Sequence, residues 1–176
     1  MKEGNRMTPF SRRSLLLSAV AVAAAPRYAT AQAGNPQSPA YGGGGGTAFD
    51  DSSFRGPITR ITVRSAAKVD SIQVTYDGKP AGQHGGGGGN PHDVSFAPGE
   101  QIIAVFGRYA TNVDQIGFVT QFPNGELRQH GPWGGDGGNP FYIIGKVSSF
   151  FGRSAQILDA VGVFVTPPTL AFSPPQ

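Results

Sequence analysis

The chain has 176 residues, 14 Lys and Arg against 11 Asp and Glu, a net charge of +3 and no cysteine. Five of the bases (Lys2, Arg6, Arg12, Arg13, Arg27) and one acid (Glu3) lie in the first 33 positions, so the remainder carries nine bases against ten acids, net −1. That balance argues against a nucleic-acid partner, which needs a dense basic surface, and the absence of cysteine excludes disulfides and thiolate metal sites.

Ser11-Arg12-Arg13-Ser14 leads into an apolar run from Leu15 to Ala25, and Ala31-Gln32-Ala33 is a small-x-small cleavage signal. This is the layout of a secretory leader, and the paired arginines point to twin-arginine export. Residues 1–33 are therefore read as a signal peptide, with the rest exported to the periplasm or secreted. The apolar run is 11 residues long, too short for a bilayer span of about 20. Residues 34–41 read as a linker, 42–166 as one domain and 167–176 as a Pro-rich tail. Linker and tail are both expected to be extended and poorly ordered.

Along the domain, Ile58–Arg64, Ile72–Tyr76 and Ile116–Phe122 alternate apolar and polar residues, as half-buried strands do. Ile102–Phe106, Phe141–Ile144 and Val161–Val165 are short apolar runs of strand length. Turn chemistry separates them at Asp77-Gly78, Pro98-Gly99, Asn124-Gly125 and Gly145-Lys146. No amphipathic helix is visible. The pattern predicts an all-β sandwich, barrel or prism.

One phrase recurs three times: Arg, any residue, Ala, two free positions, Val or Leu, then Asp. It occupies Arg64–Asp70, Arg108–Asp114 and Arg153–Asp159, with the aspartates 44 and 45 residues apart. Each copy has a glycine cluster in its repeat: Gly42–Gly46, Gly85–Gly89 and Gly134–Gly138, the last interrupted by Asp136. A fixed period of this size marks a repeated supersecondary unit with repeated surface loops. The phrase falls between strands, so it is read as a hairpin loop closed by its Asp.

The chain resembles the jacalin-related lectins of the mannose-binding type over about residues 41–166. The resemblance rests on Gly45–Asp51, Ile58–Ile61, Val69–Gly78, His130–Gly135, Gly138–Phe141, Phe150–Ser154 and above all Leu158-Asp159-Ala160-Val161-Gly162. It implies a β-prism of three four-stranded Greek-key sheets with pseudo-threefold symmetry, and sugar held between a glycine loop and a Gly-x-x-x-Asp loop. Carried over, the first site pairs Gly45 and Gly46 with Gln156, Ile157 and Asp159. A second pairs Gly85 and Gly86 with Ala67, Lys68 and Asp70, and a third pairs Gly134 and Gly135 with Thr111, Asn112 and Asp114. The implied ligands are mannose- or glucose-type glycans rather than galactose, because galactose binders of the family acquire a free N-terminal glycine by cleavage. A homodimer would double the number of sites. The family's opening Gly is Ala66, Ala110 and Ala155 here. If that position needs a positive φ, alanine strains the loop by about 1 kcal/mol or more.

The chemistry fits a sugar. A carboxylate accepts two hydroxyl protons, backbone N–H groups donate to sugar oxygens, and glycine lets the loop come close. The plainer alternative is that each Asp only satisfies its own hairpin. His84, His92 and His130 lack metal-binding spacing, no cofactor is expected, and Asp136 among its glycines lacks the tandem repeats of calcium-binding β-helices. Asp50-Asp51 is the only adjacent acidic pair, and neighbours on a strand face opposite ways, so no glycosidase pair or other enzyme is expected. Trp133 could stack on a sugar or anchor a core or interface. The competing reading is a β-prism that has lost sugar binding and serves as a protein-interaction or structural module.

Overall fold

The computed structural model describes residues 35–166. In chain order the strands are β1 (Tyr41–Gly42), β2 (Thr47–Asp50), β3 (Ile58–Ser65), β4 (Val69–Tyr76), β5 (Lys79–Pro80), β6 (His84–Gly85) and β7 (Asn90–Ser95). They continue with β8 (Gln101–Tyr109), β9 (Val113–Gln121), β10 (Leu127–Gly134), β11 (Asn139–Ile144), β12 (Val147–Ser154) and β13 (Leu158–Val165). All pairing is antiparallel, in three sheets ordered β1-β13-β12-β2, β10-β9-β8-β11 and β5-β4-β3-β7. In the last sheet β5 and β6 lie end to end on the free edge of β4, so together they fill one strand position. Among the described residues there is no helix, and none long and apolar enough to cross a membrane.

The six strands read from the sequence are all present as β3, β4, β8, β9, β11 and β13. Of the three unforeseen longer strands, β7, β10 and β12, the first two have a recognisable reason. β7 contains Pro91 and β10 contains Pro132, and both strands lie on sheet edges, where a missing N–H breaks no ladder. One expectation is corrected. The hairpin loop is three residues long (66–68, 110–112, 155–157), and the strand resumes at Val69, Val113 and Leu158. Each Asp is thus the second residue of its strand rather than the residue that closes the loop.

Alternation explains the core. In β4, Ile72, Val74 and Tyr76 are buried while Gln73 and Thr75 between them are half-buried. The inner strands β4, β9 and β13 approach one another pairwise, and Phe118, Phe150 and Tyr76 fill the space between the sheets at 0–1% exposure. Phe118 meets Phe150 edge-on, with ring centroids 6.1 Å apart. The Tyr76 hydroxyl donates to Asp51 (3.2 Å) and accepts the Phe150 N–H (3.3 Å), tying two sheets together. Part of the segment read as a loose linker is ordered: Val165 donates to Pro36 and Ser38 donates to Val163 along the edge of β13. An open strand edge has backbone groups to satisfy, and these residues satisfy them. The leader and the Pro-rich tail lie outside the described residues.

A second polar knot gives a pH prediction. The Thr120 hydroxyl donates to the buried Glu100 carboxylate (2.6 Å), which also accepts the Ala97 N–H (2.8 Å), and the Thr120 oxygen faces His130 Nε2 at 3.1 Å. Burial alone would raise the Glu100 pKa, but these hydrogen bonds together with the charges of Arg128 and His130 outweigh it and hold the carboxyl below its ordinary 4.5. Burial pushes His130 below 6.5, partly offset by Glu100. Both groups resist protonation when folded, so the unfolded chain binds more protons in acid and stability falls with pH. The His130 contribution is present above 6.5 and is lost below it, and that of Glu100 is lost below 4.5. Thermal unfolding from pH 7 to pH 5 should show a falling midpoint, and the fall should be smaller in His130→Gln. An equal fall in both proteins would remove His130 from the account.

Candidate functional site

The three phrases and three glycine loops meet through the inner strands. Asp159 is the second residue of β13, Asp114 of β9 and Asp70 of β4. Asp159 is 7% exposed and Asp114 6%, while Asp70 is half-buried. A Cβ placed on Gly45 would stand 2.6 Å from Asp159 Oδ1, and one on Gly46 2.4 Å from Oδ2. Only glycine lets the loop lie this close to the carboxylate. The structure thus sets Gly45 and Gly46 against Asp159; in the loop before Asp159, Gln156 is exposed and Ile157 half-buried, and the Gln156 carbonyl faces Gly86 of the second glycine loop.

In the other two repeats the glycine register differs from the expected one. The counterparts of Gly45 and Gly46 are Gly88 and Gly89, whose Cβ positions would fall 2.4 and 2.5 Å from the Asp70 oxygens. In the third repeat Gly138 stands in the same relation to Asp114 Oδ2, at 2.5 Å. Gly85, Gly86, Gly134 and Gly135 sit at the opposite end of their loops. There Gly86 and Gly135 donate to the carbonyls of Asp70 and Asp114, as Gly43 does to Asp159. The first glycines therefore anchor each loop to its inner strand and the last ones cover the carboxylate.

The sequence reading assigned no role to the repeated arginine. Arg153 donates to the carbonyls of Gly45 and Gly46 (both 2.7 Å), Arg64 to those of Gly88 and Gly89 (both 2.8 Å), and Arg108 to those of Gly137 and Gly138 (2.9 and 2.7 Å). Two fixed N–H donors per guanidinium hold two successive loop carbonyls on one side. The signal was present in the sequence as an invariant Arg six residues before each Asp, but the loop it grips is distant along the chain. Each Oδ2 of Asp70, Asp114 and Asp159 is buried without a hydrogen-bond partner among the described residues. Oδ1 of Asp114 accepts Lys68 Nζ (2.8 Å) and Oδ1 of Asp159 accepts Asn112 Nδ2 (2.9 Å).

The alanine substitutions are harmless to the backbone. Among the described residues Asp77 is the only non-glycine at positive φ. Ala66, Ala110 and Ala155 are exposed, and each donates its N–H across the loop to the carbonyl of Lys68, Asn112 or Ile157. The conditional strain does not arise.

A jacalin-like lectin domain family matches residues 38–164. The chain belongs to the jacalin-like lectin family. Among relatives of this family member, jacalin-related lectin 19 of Arabidopsis thaliana is 34% identical over 141 residues, covering 73% of this chain and 78% of the relative. Zymogen granule membrane protein 16 of Homo sapiens is 32% identical over 131 residues, covering 70% and 75%. A mannose-binding jacalin-related lectin from Ananas comosus superposes with a TM-score of 0.68 at 32% identity, over 77% of this chain and all of that one. Artocarpin complexed with methyl-α-mannose gives 0.64 at 25% identity, over 75% and 97%.

The other candidate residues of this jacalin-family chain are engaged internally. Trp133 is partly buried against the core and stacks on His92 at 5.3 Å. His84 stacks on Phe49 (3.8 Å) and bonds Asp51 (2.9 Å), and Asp50 accepts the Ser52 N–H (2.7 Å).

Proposed function

We propose that this protein is an exported lectin that binds mannose- or glucose-type glycans without catalysis and without a cofactor. The carrying observation is the buried, unpartnered Oδ2 of an aspartate beneath a glycine loop in every repeat. A buried acceptor left unpaired costs about 1–3 kcal/mol, more when charged. A ligand bringing hydroxyl donors to the carboxylate relieves that cost. Among the described residues the amides of Gly45 and Gly46 make no backbone hydrogen bond in the loops and turns, which leaves them available to sugar oxygens. The arginine grip on the neighbouring carbonyls holds the loop ready for this. Mannose binding by solved relatives favours this choice of sugar. The leader at residues 1–33 is the basis for export, and the internal engagement of Asp50 and Asp51 argues against a catalytic pair.

A shallow site of one carboxylate and a few N–H donors should give about 4–6 kcal/mol, meaning millimolar to tens of micromolar for a monosaccharide. Branched glycans engaging several sites should bind roughly 10²–10⁴ times better through effective concentration. The test is titration with methyl α-mannoside and methyl α-galactoside, followed by a glycan array. Saturable mannoside binding with weaker galactoside binding is expected. Silence across the whole array would favour the protein-interaction alternative.

A further inference from the structure

We infer that the three repeats do not carry equal sites: Lys68 closes the third carboxylate to neutral sugars, leaving two working sites per chain. This rests on the lectin reading above. Each loop reaches into the next repeat through the residue two positions before its own Asp. These residues are Lys68, Asn112 and Ile157. Lys68 Nζ lies 2.8 Å from Asp114 Oδ1 and 3.3 Å from Asn112 Oδ1, and Asn112 Nδ2 lies 2.9 Å from Asp159 Oδ1. The cycle closes where Gly86 packs on the Gln156 carbonyl, which brings the 155–157 loop to the site of Asp70. The third reader is therefore Ile157, which has no side-chain donor, and Asp70 Oδ2 has no hydrogen-bond partner among the described residues.

The three readers impose three different states. Asp70 meets no side-chain donor from its reader, Ile157. Asp159 gives up one lone pair to a neutral amide, and each carboxylate oxygen can accept more than once. Asp114, whose side chain is 8% exposed, is bound by an ammonium. A charge-assisted hydrogen bond is roughly twice as strong as a neutral one, so a hydroxyl is a poor competitor. The carboxylate geometry differs to match. At the first two sites, Cβ positions on consecutive glycines fall 2.4–2.6 Å from the two Asp oxygens, whereas the position on Gly137 is 3.9 Å from Asp114 Oδ1, the atom that Lys68 holds. Lys68 is thus a specificity-determining residue acting across repeats, on a loop that itself belongs to the second site.

The test is a ¹⁵N NMR titration of the chain with methyl α-mannoside, following the loop glycine amides. Saturable shifts are expected at Gly45, Gly46, Gly88 and Gly89, with none at Gly137 and Gly138. In Lys68→Met, Gly137 and Gly138 should join them, with the third-site Kd falling at least tenfold, and Lys68→Met/Asp114→Ala should lose that response again. Shifts at all three loops in the parent protein, or a silent third loop in Lys68→Met, would overturn the inference while leaving the lectin reading intact. Silence at every loop in the parent would remove the lectin reading, and this inference with it.

Discussion

Gly46→Ala should weaken methyl mannoside binding at the first site at least tenfold, while Gly44→Ala should leave it near the parent value. The two glycines are two residues apart in one loop, yet their surroundings differ. A Cβ at position 46 would stand 2.4 Å from both Asp159 Oδ2 and the Ser154 carbonyl oxygen, whereas one at position 44 meets nothing within 4 Å. Gly46 also has a φ of +60°, which costs an L-residue roughly 1–2 kcal/mol. An alanine at 46 must therefore lift the loop off the carboxylate, and a hydrogen-bonded site built to tenths of an ångström does not survive that shift. The glycine amides of the 85–89 loop report on the second site in the same titration and should respond as before. Parent-like first-site affinity in Gly46→Ala would show that the Asp159 pocket is not where the sugar sits.

Phe118→Ala should cost about 3–5 kcal/mol in chemical denaturation, the range for emptying a buried aromatic site. Phe118 is fully buried on β9, edge-on to Phe150 of β12 and 6.2 Å from the Trp133 ring of β10. The void would open between two sheets, and no single strand can relax to fill it. Since a domain of this size is held by only about 5–15 kcal/mol, the variant should be close to unfolding at moderate temperature. Leu127→Ala is the matched control, because Leu127 is 57% exposed and surface changes usually stay within about 0.5 kcal/mol. A loss below about 1.5 kcal/mol for Phe118→Ala would mean that the core between the sheets is not what holds them together. The same packing aligns β4, β9 and β13, whose first residues include the three aspartates. Core and site are therefore one construction.

Much of this was legible without coordinates. Alternation in Ile72–Tyr76 and Ile116–Phe122 dictates strands because side-chain direction has period two, and the 44- and 45-residue spacing of Asp70, Asp114 and Asp159 dictates a threefold unit. The pairing of Asp159 with Gly45 and Gly46 followed from the family resemblance, and the structure brings those residues together. β7 and β10 escaped notice because Pro91 and Pro132 argue against a strand until the chain's sheet edges are known. The glycine register in the second and third loops escaped because a run such as Gly85–Gly89 has no side chains to tell its members apart. Position in the loop decides which glycine anchors and which covers the carboxylate. The sequence by itself determined three similar phrases and so, on its face, three similar sites. Only the tertiary structure decided that Lys68 meets Asp114 and Asn112 meets Asp159, while the loop turned toward Asp70 offers Ile157, which has no side-chain donor. Those partners lie 46 and 47 residues apart along the chain, and a hydrogen bond forms by distance in space, which is set when the three sheets close into a prism.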